Sequence, residues 1–145
     1  MAFQTELIPD HDRLFRSVPN KPKDFWIAEQ NRPSSAAFKG EKDSSDKRFR
    51  ASVNWEKYKT VDQCKRPNSM AIVSVKPIQC KSVGKDVEHT PICDEESVNQ
   101  AHSDICDPKG RAMTNSQNSA ASSKLAEAAV VVWPEDGNVI IASLG

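Results

Sequence analysis

Two short stretches share one spacing: His89-Thr-Pro-Ile-Cys93 and His102-Ser-Asp-Ile-Cys106, the second starting thirteen residues after the first. A His and a Cys four apart share one face of a helix. Two such pairs together supply the two nitrogens and two sulfurs that tetrahedral zinc accepts. The segment from Asp86 to Asp107 holds seven acids and no Lys or Arg, which favours a cation there. One reading is therefore a structural zinc site of His89, Cys93, His102 and Cys106. Pro91 weighs against it, because it prevents a regular helical turn in the first pair and pushes Thr90 toward extended backbone. The bland alternative is buried thiols and one core-facing His, with no cofactor. The order of ligands matches no familiar zinc motif.

A second constellation is Asn99 with His102. In a helix starting at the acids Asp94-Glu-Glu, these two are three apart and adjacent. Val98, Ala101, His102 and Ile105 fall at i, i+3, i+4 and i+7, so one face of that helix is mostly apolar. Such a His can act as acid, base or orienting donor, and the plain alternative is a capping or packing His at a helix end. A third set is N-terminal: Arg13, Arg16, Arg32, Ser34 and Ser35. Arg with paired Ser can hold a phosphate or a carboxylate. The plain account is that Arg13 and Arg16 pair with acids of the other half and the serines make a turn. No Gly-rich phosphate loop, G-x-S-x-G or H-E-x-x-H accompanies them.

The elements that must position these residues belong to one domain of 145 residues with an economical core. Apolar residues make up 37% of the chain, below the usual ~45–50%. Arg13–Val18 and Phe49–Val53 read as strands, and Met70–Val75 as a central strand buried on both faces. Pro77–Ser82 reads as a short helix stopped by Gly84, and Asp86–His89 as a brief strand. Val130–Trp133 and Asn138–Leu144 read as late strands, and Ser122 or Ser123 as the cap of a helix through Ala129. Residues 39–47 read as a mobile loop, and 114–123 as a mobile loop or a frayed helix start. The expected class is α+β, with a mixed or mainly antiparallel sheet of four to six strands and two to four short helices.

Charge narrows the partners. Lys plus Arg equals Asp plus Glu at 20 each, which argues against general nucleic-acid binding. Residues 1–70 carry 14 basic and 10 acidic side chains, and residues 71–145 carry 6 and 10. No apolar run approaches the ~20 residues of a membrane helix. The N-terminal residues have no basic or apolar signal region. The expected setting is cytoplasmic, with the four cysteines as thiols.

Arg13-Leu-Phe-Arg16, Arg32-Pro-Ser-Ser-Ala-Ala-Phe38, Ala51-Ser-Val53 and Asn99-Gln-Ala-His102 occur in that order. The chain thereby resembles an uncharacterised bacterial family of small proteins with the motifs L-[YF]-R-R, S-S-x-A-F, L-S-V and N-x-A-H. The likeness covers about two-thirds of the chain. It implies a compact cytosolic bacterial domain and carries no established activity. It draws attention to His102, Asn99, Arg16, Ser35 and Phe38 and leaves Cys93 and Cys106 aside. An early Arg, a Ser-rich second element and a later His are also similar, at the level of fold, to ADP-ribosyltransferase-like proteins. No Glu here takes the role such enzymes require. Two functions follow as expectations. The first is a non-enzymatic accessory module that binds a protein partner through an exposed apolar patch. The alternative is a small enzyme or toxin acting on a nucleotide or RNA through a cleft of Arg16, Ser35 and His102, with Asn99 beside it.

Overall fold

In the computed structural model, which describes residues 2–139, alternating apolar runs form the rungs of one large sheet. The strands are β1 (Leu14–Pro19), β2 (Trp26–Ile27), β3 (Arg32–Pro33), β4 (Glu41–Lys42), β5 (Phe49–Trp55) and β6 (Ser69–Val75). After them come β7 (Asp86–His89), β8 (Ile92–Cys93), β9 (Val98–Asn99), β10 (His102–Cys106) and β11 (Val130–Trp133). The helices are α1 (Pro22–Phe25), α2 (Ala36–Lys39), α3 (Val61–Cys64), α4 (Pro77–Ser82) and α5 (Asn115–Ala128). The main sheet runs β11-β6-β1-β5-β10-β7, with β4 added beside β5, and every pairing is antiparallel. Two small hairpins, β2-β3 and β8-β9, stand apart from it. The class is α+β, as expected, and no described helix is long and apolar enough to cross a membrane.

The sheet has two unequal faces. Leu14 and Val18 of β1, Ala51, Val53 and Trp55 of β5, Ala71, Val73 and Val75 of β6, and Ile105 of β10 form the larger core. Phe38, Cys80, Leu125 and Ala126 from α2, α4 and α5 cover that face. Burying a side chain such as Leu125 or Phe38 contributes about 1.5–3 kcal/mol. On the other face Phe15 and Ile72 pack with Cys64 of α3, flanked by Val132 and Trp133. Every residue of β6 from Met70 to Val75 is buried, which explains its nearly unbroken apolar run.

Residues 114–123 are not a loop. Thr114 caps α5: its hydroxyl accepts from Gln117 N, and Gln117 Oε1 accepts from Thr114 N. The cap thus lies eight residues before Ser122, the earlier of the two expected caps. Its buried stripe is Asn118, Ala121, Ser122, Leu125 and Ala126. Small and polar residues allow close approach there and hide the apolar period. Thr114→Ala is expected to cost about 1 kcal/mol, read as a lower urea midpoint with an unchanged slope.

The helix expected from Asp94 to Ile105 is a hairpin and a strand. Asp94 Oδ1 accepts from Glu96 N at 2.9 Å and Ser97 N at 2.8 Å. This side-chain turn reverses the chain between β8 and β9. β10 then alternates, with Ser103 and Ile105 opposite Val53 and Ala51 on the core face. The strand expected over Asn138–Leu144 falls mostly outside the described residues. Residues 39–47 include β4, which pairs Glu41 with Arg50.

Candidate functional site

The site begins with a gap in the sheet. β1 meets β5 at only two residue pairs, Leu14 with Trp55 and Phe15 with Asn54. β4 meets β5 at its other end, through Arg50 and Phe49. Between them the Arg16 side chain fills the space. Its Nε donates to Ala37 O at 2.9 Å and its Nη1 to Ser52 O at 2.7 Å. The guanidinium therefore stands in for a missing strand, satisfying a carbonyl of β5 that has no ladder partner on that side.

The second face of the sheet presents a polar row beside this gap. Arg50, Ser52 and Asn54 alternate with the core-facing residues of β5, and His102, Asp104 and Cys106 do so on β10. A cavity of about 380 Å³ opens there, within the size range of small-ligand sites. Arg16, Ser52 and Asn54 line it on one side, Asn99 and His102 on another, and Arg66 and Asn68 close it from the segment after α3. No carboxylate lines it. Among the described residues neither Arg16 nor Arg66 makes a salt bridge. Burial, and then the nearby charge of Arg66, push the Arg16 guanidinium below its ordinary pKa. Two cations and no carboxylate line this cavity, while Glu41, Asp43 and Asp104 line the adjoining one, which shares Arg16 and Ser52. No family model, curated protein or solved structure matches the chain. The site has to be read from its own chemistry.

Three of the four sequence candidates thus share one cavity: Arg16, Asn99 and His102. Their geometry differs from the expectation, because Asn99 lies on β9 and His102 on β10, joined by a tight turn rather than a helix. Asn99 Nδ2 donates to Asn54 Oδ1 at 2.8 Å, and Asn99 Oδ1 accepts from Ala101 N at 3.1 Å. Asn99 is therefore held as part of the wall. Ser35 does not join the cavity. It sits at the start of α2, on the helix-covered side of the sheet. Ser52 takes the hydroxyl role instead, and Arg66, Asn54 and Asn68 were not singled out by sequence. Their signal is the polar alternation Arg50, Ser52, Asn54 within an otherwise apolar strand. The plain account of the arginines also changes: Arg13 pairs with Glu56 of its own half at 3.2 Å, not with the acidic half.

His102 is oriented from both sides. Its Nδ1 lies 2.9 Å from Thr90 O and 3.0 Å from Thr90 Oγ1, and its Nε2 lies 3.2 Å from Ser52 Oγ. A carbonyl only accepts, so Nδ1 carries the proton and the Nε2 lone pair of the neutral ring faces Ser52. Thr90 Oγ1 in turn donates to Asp104 Oδ2 at 3.3 Å. Burial raises the Asp104 carboxyl above its ordinary pKa, against the pull of His102 and Arg50.

The four zinc candidates do not converge. Ser103 pairs with His89 across β10 and β7, which puts His89 on the core face and His102 on the opposite face. Both His89 nitrogens are engaged: Nδ1 accepts from Glu6 N at 3.0 Å and Nε2 donates to Gln100 O at 2.7 Å. The ring also packs edge-on to Trp55 and stacks on Tyr58. Cys93 lies on the separate β8-β9 hairpin, and Cys106 is fully buried against Arg48. Burial pushes the Cys106 thiol up to about 12, as it does Cys80. Among the described residues no cluster of three His, Cys, Asp or Glu is placed to hold a metal.

Proposed function

We propose that the chain binds a small anionic ligand, carrying a phosphate or carboxylate group, in the cavity between Arg16, Arg66 and His102. The observation that carries this reading is an acid-free cavity holding two arginines without protein counter-ions. Arg is the residue suited to planar, bidentate recognition of such anions. The ring of Asn54, Asn68, Asn99 and Ser52 supplies neutral donors and acceptors that give orientation. Sequence alone points to an Arg16, Ser35 and His102 cleft in a small enzyme or toxin acting on a nucleotide or RNA; the proposed site keeps Arg16 and His102, puts Ser52 in place of Ser35 and requires only anion binding. A protein-docking module would draw on one exposed apolar patch. Among the described residues the large exposed apolar side chains are Leu7, Ile78, Val98 and Val130, and none of them lines this cavity.

Titration calorimetry with adenosine monophosphate and with succinate tests the reading. Saturable binding of at least one is expected, weakening as salt is raised. Arg66 is exposed, and among the described residues its hydrogen bonds run through its backbone, so Arg66→Met removes charge with little structural cost. Its binding is expected to weaken about tenfold, equivalent to the loss of one charge-assisted hydrogen bond. No heat of binding from either compound would sink the proposal.

A further inference from the structure

The same cavity contains a reactive pair that anion binding alone does not need. We infer that Ser52 and His102 form a nucleophile and base that hydrolyse carboxylic esters bearing an anionic group. The inference rests on the anion-binding reading, since Arg66 would hold the charged end of the substrate.

The argument is geometric. Ser52 is exposed on β5, so its Oγ is open to a ligand in the cavity. The Nε2 lone pair of His102 points at that Oγ from 3.2 Å, at the long end of the reach expected of a nucleophile and its base before substrate arrives. The base is oriented by a third group, the Thr90 carbonyl, which fixes the proton on Nδ1. Nucleophile, base and orienting acceptor are the three parts such an arrangement requires. Here the acceptor is a peptide carbonyl, and the nearest carboxylate, Asp104, acts one step away through Thr90 Oγ1. Thr90 is thus a positioning residue. The Arg16 guanidinium, anchored on Ser52 O at 2.7 Å, puts a cation next to the nucleophile, where an oxyanion would develop.

The chemistry balances within these groups and water. Ser52 Oγ attacks the ester carbonyl carbon while its proton passes to His102 Nε2. The tetrahedral intermediate collapses, the bond from carbon to the alcohol oxygen breaks, and the proton on Nε2 goes to the departing alkoxide. Water then attacks the Ser52 ester, giving its proton to Nε2. Collapse returns that proton to Ser52 Oγ and releases the carboxylic acid.

The test uses the full chain with three chromogenic probes: p-nitrophenyl succinate, p-nitrophenyl acetate and p-nitrophenyl phosphate. Turnover of the succinate half-ester at least tenfold faster than the acetate is expected. Ser52→Ala and His102→Asn should each fall to the uncatalysed rate. Mass spectrometry of quenched wild-type enzyme should find a succinyl adduct on the Ser52 peptide. The Ser52 side chain is exposed, so Ser52→Ala should keep the wild-type melting temperature. Hydrolysis that survives Ser52→Ala overturns the inference. So does turnover of the phosphate ester alone. If anions bind but no ester is cleaved and no adduct forms, this inference fails and the binding reading stands. If no anion binds, both fail.

Discussion

Asp107→Asn is expected to cost about 3–5 kcal/mol of folding stability, the loss typical of stranding one charge of a buried pair. Lys85 Nζ lies 2.6 Å from Asp107 Oδ1 and 2.6 Å from Asn118 Oδ1, with side chains 2% and 0% exposed for Lys85 and Asp107. Asp107 Oδ2 also accepts from Phe49 N and Met113 N, both at 2.9 Å. The pair therefore ties α5, the turn before β7 and the start of β5 together. The neutral amide leaves a buried ammonium without its counter-charge. Removing both charges together, in Lys85→Met with Asp107→Leu, should cost less than Asp107→Asn alone. Urea unfolding of the three variants measures both claims; equal midpoints for wild type and Asp107→Asn would refute them. Acid should have the same target. Burial raises the Asp107 pKa, but the bonds from Lys85, Phe49 N and Met113 N outweigh it and hold the carboxyl below the ordinary range. A folded-state value below the unfolded one gives stability that is present above roughly pH 4 and lost as pH falls through the folded value. The wild-type midpoint should drop over that window, and the Asp107→Asn curve should be flatter there.

Gly40→Ala is expected to be comparably damaging, at about 3–4 kcal/mol. Gly40 has φ +61° and ψ −156°, a region that only glycine adopts readily. A Cβ there would lie 2.0 Å from Arg50 O, which is backbone and has no room to retreat. The clash would lift β4 from β5 and disturb the Arg50 contacts to Asp43, Asp46 and Glu88. Gly110→Ala is the control. It shares a positive φ of +74° but meets nothing within 4 Å, so only about 1 kcal/mol of backbone strain is expected. Thermal or urea unfolding of the two variants separates collision from strain. Similar losses in both would show that the contact with Arg50 is unimportant.

The strands were legible where one face is buried and apolar. β1, β5, β6 and β11 all follow runs visible in the chain. The misreadings have specific causes. In α5 the buried stripe includes Asn118 and Ser122, so apolar period did not mark the helix. Between Asp94 and Cys106, Val98, Ala101 and Ile105 mimic a helical period, while the Asp94 side chain directs a turn. Arg16, Asn99 and His102 were legible as candidates because residue type alone marked them. That Ser52 and Arg66 would join them, and Ser35 would not, depends on which face of the sheet each occupies. His89 and His102 show the same limit: one spacing in sequence, opposite faces in space.

The gap that Arg16 fills also divides the sheet mechanically. β1 and β6 share six rungs, and β5 and β10 share five, but β1 and β5 share two. Along the path β6-β1-β5-β10 that joint has the fewest rungs. It runs along the rim of the cavity, so a ligand gripping Arg16 from one side and His102 from the other would act as a rivet across it.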